Sequence, residues 1–400
     1  MIRVGFVLEG SGWQGGVNYY RNLFSALDML TVREIYPVMF VGTRVSEDIA
    51  KNFHHAEIVR TRILDSDSPS GLLRRVLRRI SGQRDVLLSR ILTHHKIDVL
   101  SHSGPLWPVG KIKTIGWVAD FQHLYFPEFF SESECAQRNV IFNRIACDCD
   151  CVLVSSETAK RDLATFAPEA DSKTRVLRFV PEVNLNATHI SVHDLKEKYD
   201  FCTPYFFLPN QFWIHKNHKI VVEALAELKR EGFCVTVLAT GNKEDYRHPS
   251  HFSNLMALVG RLGLTESFKV LGVVPYSDLL SLMRHSLAVI NPSLFEGWSS
   301  TVEEAKALGV ATLLSDLPVH REQNPLHGVY FDPANAKELA NKMLAIMVSA
   351  EQQAQRSEAL TYSDSFISDR LDFAQAYQDI VVKLTAKVVP TTLPSKQKVF

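Results

Sequence analysis

The chain has 400 residues, more than one ordinary hydrophobic core organises, so two domains are expected. Apolar residues make up 46%, and 44 Lys and Arg balance 44 Asp and Glu, which describes a globular protein and gives no bulk case for nucleic-acid binding. No apolar run approaches the roughly 20 residues of a membrane span, and MIRVGFVLEG at the start is too short for a signal peptide, so a cytoplasmic location is expected.

In chain order, IRVGFVL is the first predicted strand. The turn EGSGWQGGVNYY follows, in which Gly12, Gly15 and Gly16 precede a helix. Glycines let backbone amides approach a phosphate or sugar closely, so this turn is a candidate binding loop; an NAD site is not expected. Helical NYYRNLFSALDML leads to the strand YPVMFVG. LLRRVLRRI (Leu72 to Ile80) then sets apolar residues at 72, 73, 76, 77 and 80 against arginines at 74, 75, 78 and 79. Residues 51–100 hold ten Lys and Arg against five Asp and Glu. Such a helix either lies on anionic lipid through Arg74, Arg75, Arg78 and Arg79 or turns its apolar face to the core.

DVLSHS, KTIGWVAD and CVLVSS are the remaining strands of the first half. Cys147, Cys149 and Cys151 alternate in ACDCDCVLV. Alternation sends neighbours to opposite strand faces and lacks the C-x₂-C spacing of metal sites, so they are read as reduced structural thiols, and no metal is expected. The polar, weakly periodic stretch near Val180–Tyr199 marks the domain break. YFFLPN, CVTVLATG, KVLGVV, LAVINPS and ATLLSD are strands of the second half, with KIVVEALAELKREG among the helices between them. Alternating strands and helices argue for two α/β domains with parallel, doubly wound sheets, whose ligand sites face a shared cleft at the strand carboxyl ends. The expected organisation is 1–190, 191–365, a terminal helix at 366–386 returning to the first domain, and a loose tail at 387–400.

The most informative segment is LFEGWSSTVEEA. Glu296 lies in a glycine-containing turn after LAVINPS, and Glu304 lies inside the helix that follows. Two acids on the order of 10 Å apart, with free helix amides between them, suit a ligand that has an anion flanked by hydroxyl-rich groups. That describes a nucleotide sugar.

The second half resembles the retaining GT-B glycosyltransferases of family 4, often called glycosyltransferase group 1. The resemblance rests on Glu296-x₇-Glu304 in NPSLFEGWSSTVEEAKALGVATLLSD, on LGVVPYSDLLSLMRHS, on SDLPVHRE with GVYFDP, and on FLPNQFWIHKNHKIVVEAL (Phe207 to Leu225). It is strong from about 200 to 335 and weaker before that. It implies the GT-B fold and transfer of a hexose, expected to be of mannose type, from a GDP- or UDP-sugar to a glycan or lipid-linked acceptor, with no cofactor. Glu296 would hold donor-sugar hydroxyls, Gly297, Trp298 and Ser299 would touch the sugar and diphosphate, Glu304 would bind ribose, and Lys216 would neutralise the diphosphate. Gly15, Gly16, Asn210 and Gln211 would complete the donor site. The sequence departs from the family in two places. Gln211 stands where an Arg is usual, and Ala119-Asp120 stands where a His-Asp pair is common, leaving Asp120 and His123 as the expected sugar-contacting residues. Alternatives are a nucleotide-sugar epimerase and a non-catalytic nucleotide-sugar sensor. Lipid-linked acceptors of the family also favour the inner membrane face for the arginine helix.

Overall fold

The computed structural model describes residues 1–8, 14–81, 84–102, 109–184, 190–353 and 363–386. Among these described residues, thirteen strands form two sheets. The first holds β1 (Ile2–Leu8), β2 (Ile35–Val41), β3 (Glu57–Arg60), β4 (Val99–Ser101), β5 (Lys113–Val118), β6 (Cys151–Val154) and β7 (Thr174–Val176). The second holds β8 (Tyr205–Leu208), β9 (Thr236–Thr240), β10 (Phe268–Gly272), β11 (Val289–Asn291), β12 (Thr312–Ser315) and β13 (Gly328–Phe331). Their orders are β3-β2-β1-β4-β5-β6-β7 and β10-β9-β8-β11-β12-β13. Every pairing is parallel.

Parallel strands covered on both faces read as continuous apolar runs. In β1, Val4, Phe6 and Leu8 enter one core cluster and Val7 the other. In β8, Phe206 and Leu208 go to one face, and Tyr205 and Phe207 to the opposite one. The ten strands legible in the sequence are found. The three missed strands, β3, β7 and β13, each lie at a sheet edge. Edge strands are short and half-covered, so EIVR, TRV and GVYF carry little of the apolar signature.

Each sheet reverses its winding once, between β1 and β4 and between β8 and β11. Such switch points open a crevice at the strand carboxyl ends, and here both crevices face the same cleft. The Ser363–Thr385 helix packs on the first domain: Phe373, Tyr377 and Val381 join its core, and Gln378 Oε1 accepts from the Glu34 amide at 2.8 Å.

The arginine helix, Pro69–Ile80, is not divided into a buried apolar face and an outer face of four arginines. Four of its five apolar residues do not face the core: Leu72, Leu73, Val76 and Ile80 are 49, 51, 51 and 76% exposed, and only Leu77 is half-buried. Nor do all four arginines form an outer face. Arg74 is only 6% exposed and pairs with buried Asp85 at 2.7 Å. The reason is the N-terminal capping of the next helix. Asp85 caps Val86–His94 through the Leu88 amide and needs a cation, and Arg74 supplies it from the inward side. Among the described residues no helix is long and apolar enough to cross a membrane.

Candidate active site

Glu296 and Lys216 come from the loops that follow the two strands flanking the second switch point. Beyond β8 the chain makes a short 3₁₀ turn, Ile214–Lys216, and Asn217 takes a left-handed conformation before the His218–Arg230 helix. Beyond β11 the loop Pro292–Ser299 carries Glu296. Lys216 Nζ meets Glu296 Oε1 at 2.6 Å, and Ser293 Oγ lies 2.7 Å from the same oxygen. Burial works to raise the Glu296 pKa, but the Lys216 ammonium, the nearby His320 and the hydrogen bonds outweigh it and hold the carboxyl down at about 2. Glu296 is therefore an ionised acceptor at neutral pH.

The loop is fixed from beneath by Asn291, a residue that sequence reasoning passed over. Asn291 Nδ2 donates to Ser299 Oγ at 2.7 Å, and its Oδ1 accepts from Ser293 Oγ at 2.7 Å and from Asn210 Nδ2 at 3.4 Å. Asn210 is buried and its amide serves this network. Gln211 is exposed, and the structure gives it only a backbone contact, its carbonyl accepting from the Trp213 amide at 2.8 Å. His215 and His218 are buried neutral rings whose pKa values burial lowers to about 3, so neither replaces a missing cation. His218 stacks on Phe212 at 4.4 Å.

Ser299 caps the Ser300–Ala307 helix, its Oγ accepting from the Val302 amide at 3.4 Å. The Ser299 amide is itself held by Gln323 Oε1 at 3.3 Å, so the expected amide contact to a ligand falls to other first-turn groups. Glu304 lies little more than one turn into this helix. Tyr276, at the start of Tyr276–Arg284, donates its hydroxyl to Glu304 Oε1 at 2.8 Å. Loss of water raises the Glu304 pKa to about 7 against the lowering effects of Tyr276 and Arg21.

Both acids line one cleft of about 400 Å³. Its other wall is built by the first domain: Tyr19 and Arg21 from the Gln14–Asp28 helix, Trp117 of β5, and Ala119 and Asp120 just beyond it. The two walls touch at Gly297. A Cβ there would lie 2.4 Å from the Ala119 carbonyl oxygen and 3.0 Å from Asp120 Cβ, so only glycine permits this approach. Trp298 Nε1 donates to the Phe179 carbonyl at 3.0 Å, a second link across the domains.

Gly15 and Gly16 lie in the first turn of Gln14–Asp28, after β1; Gly12 lies outside the described residues. By spacing, Gly10, Gly12 and Gly15 satisfy G-x-G-x-x-G, so spacing alone does not exclude a dinucleotide. However, β2 ends in Val41-Gly42-Thr43, without the acid that would hold a dinucleotide ribose. Asp120 does line the cleft, with Oδ1 bound by Arg138 Nη2 at 2.6 Å and by the Gln122 amide at 3.0 Å. His123 does not line it. Its ring is buried beside Phe142, with Nε2 2.9 Å from Asn139 Oδ1 and Nδ1 accepting from Arg138 Nε at 3.3 Å. The expected sugar contact through His123 is therefore corrected: a short helix, Gln122–Tyr125, turns the imidazole back into the domain. Arg21 and Tyr276 are cleft residues that no sequence motif announced. Among the described residues no cluster of three or more His, Cys, Asp or Glu is arranged to hold a metal ion.

Residues 196–361 match the family model described as Glycosyl transferases group 1. The second domain is thus similar to the glycosyl transferases group 1 family over most of its length. Anabaena Alr3699/HepE, solved in complex with UDP and glucose, is 17% identical with a TM-score of 0.67, covering 96% of this chain and 100% of that one. A glycosyltransferase from Rickettsia africae ESF-5 is 17% identical with a TM-score of 0.66, covering 96% and 97%. Sucrose-phosphate synthase from Thermosynechococcus elongatus is 15% identical with a TM-score of 0.64, again covering 96% and 97%. The likeness runs through both domains, and the fold is GT-B. No curated protein sequence matches the chain.

Proposed function

We propose that this protein is a retaining glycosyltransferase that moves a hexose from a nucleoside-diphosphate sugar to a hydroxyl of a glycan or lipid-linked acceptor. The observation that carries the reading is the pair of acids in one interdomain cleft, Glu296 ionised against Lys216 and Glu304 on the helix beyond, within a domain similar to the group 1 family. HepE, of the same fold, was solved in complex with UDP-glucose, which supports a nucleoside-diphosphate sugar; UDP and GDP are both carried forward. On this reading the acceptor hydroxyl attacks the anomeric carbon on the face from which the diphosphate departs. The bond to the phosphate oxygen breaks, the new glycosidic bond forms, and the acceptor proton passes to the leaving phosphate. Glu296 accepts sugar hydroxyls near the reacting carbon, while Lys216 and the first-turn amides of Ser300–Ala307 stabilise the diphosphate without a metal. Glu304 accepts the ribose hydroxyls.

On this reading the acceptor is met at a membrane surface. Leu72, Leu73, Val76 and Ile80 form an exposed apolar face bordered by exposed Arg75 and Arg79, a pattern that suits the cytoplasmic face of an anionic bilayer. The test of function is incubation with labelled UDP- and GDP-hexoses and acceptor extracts, followed by NMR of the product's anomeric configuration. Label transferred with retention supports the proposal. Donor altered without acceptor marks an epimerase, and binding without turnover marks a sensor.

A further inference from the structure

Arg21 presents a guanidinium to the cleft, with Tyr276 and Glu304 as its neighbours. It lies on the Gln14–Asp28 helix of the first domain and lines the cleft opposite the second domain. It is the one cation among the described residues lining that cleft. Its Nε is buried and has no hydrogen-bond partner. The other charged lining groups are engaged: Asp120 by Arg138, Glu296 by Lys216, and Glu304 by the Tyr276 hydroxyl. The guanidinium carbon stands 6.0 Å from the Tyr276 ring centroid, which sets Arg21 beside the Tyr276–Glu304 pair and across the cleft from the Ser300 helix start.

Two features of the second domain make a cation from the first domain useful. Gln211 brings no charge, and the Lys216 ammonium is shared with Glu296 at 2.6 Å. A diphosphate held at the Ser300 helix start would meet helix amides but few uncompensated cations from its own domain. A guanidinium is the side chain best shaped to engage two phosphate oxygens at once. A ligand oxygen would also satisfy the buried Nε, whose unmet hydrogen bond is a cost in the free protein.

We propose that Arg21 is a substrate-binding residue that clasps the diphosphate of the donor from the first domain, so that the leaving group is gripped only when both domains enclose it. This rests on the nucleotide-sugar reading above. It makes Arg21 specific for the diphosphate, in contrast to Glu304, which is assigned to the ribose.

The experiment compares calorimetric binding of UDP with uridine, and of GDP with guanosine, to the full-length protein and to its Arg21→Gln and Arg21→Lys variants. Unchanged circular dichroism and melting temperature establish that the variants are folded. The expected result is that Arg21→Gln weakens the preferred nucleoside diphosphate about tenfold or more while leaving the nucleoside unchanged, with Arg21→Lys recovering part of the loss. Equal weakening of nucleoside and diphosphate would overturn the proposal, since Arg21 would then act through Glu304 or the fold. Unaltered diphosphate affinity in Arg21→Gln would overturn it as well. A parent protein that binds none of the four ligands overturns the donor reading itself, and this proposal with it.

Discussion

Lys216 Nζ lies 2.6 Å from Glu296 Oε1, closing an ion pair between the loops after β8 and β11 across 80 positions of sequence. The pair sits at the point where the second sheet reverses its winding. It fixes the carboxylate that is assigned to the sugar and the ammonium that is assigned to the leaving group. Removing either partner therefore disturbs both.

Glu296→Gln is expected to lower kcat about a hundredfold or more with little change in donor KM, since contacts near the reacting carbon count most in the transition state. Lys216→Ala is expected to cost about 3 kcal/mol in kcat/KM, by comparison with removal of other single electrostatic stabilisers. EDTA is expected to leave parental turnover unchanged. Steady-state kinetics check all three. A kcat near the parental value in Glu296→Gln would remove the acid from its assigned role, and loss of turnover in EDTA, restored by Mg²⁺ or Mn²⁺, would remove the metal-free account.

Glu304 gives a pH dependence whose sign is fixed by its raised pKa of about 7. Between the ordinary glutamate pKa and 7 the folded protein binds more protons than the unfolded chain. Stability contributed by the neutral carboxyl is therefore lost as pH rises through that window. Melting temperature is expected to fall between pH 5 and 8 in the parent and to fall less in Glu304→Gln. Donor affinity is expected to move in the opposite sense, rising through pH 7 as the carboxylate becomes able to accept both ribose hydroxyls, and to be flat in the variant. Parallel pH curves for parent and variant would contradict this assignment.

Gly297→Ala is expected to separate the two walls of the cleft. The added Cβ would stand 2.4 Å from the Ala119 carbonyl, a main-chain atom that cannot swing aside. Overpacking of this kind costs about 1–3 kcal/mol. Turnover and donor affinity should both fall, and small-angle scattering should show a larger radius of gyration. A variant as compact and active as the parent would show that the contact at Gly297 is dispensable.

The Pro69–Ile80 helix makes opposite predictions for its two faces. Replacing Leu72, Leu73, Val76 and Ile80 by Ser is expected to abolish flotation with anionic vesicles while leaving the fold intact. Arg75→Gln with Arg79→Gln should weaken flotation and reduce its salt sensitivity, at about 1 kcal/mol per residue. Arg74→Gln should instead unfold the domain at lower temperature, because it strands buried Asp85, a loss of about 3–5 kcal/mol. A parent that stays with the soluble fraction at low salt would leave the apolar face without this partner.

Much of the second domain was legible because its chemistry is local. Leu287 to Ser293 is a buried strand, Gly297 and Ser299 form a turn and a cap, and Glu304 follows on the helix; each step depends on neighbours a few residues away. The covered strands were legible for a similar reason, since burial on both faces demands unbroken apolar runs. The same local logic fails at the sheet edges, where β3, β7 and β13 need only one good face.

The sequence by itself determined the alternation of strands and helices, the two-domain division, and the acids on either side of the Gly297 turn. These follow from periodicity and spacing along the chain. Tertiary structure alone decided which groups share the cleft. Arg21 and Tyr276 reach it from different domains, and His123 leaves it because Asn139 and Arg138 hold its ring inside the first domain. It also decided that Arg74 points inward and Leu72 and Leu73 outward, since a buried partner, Asp85, overrides the usual preference for apolar burial. Such choices depend on charges and surfaces brought together by folding, and a pattern read along one helix carries no information about what lies opposite it.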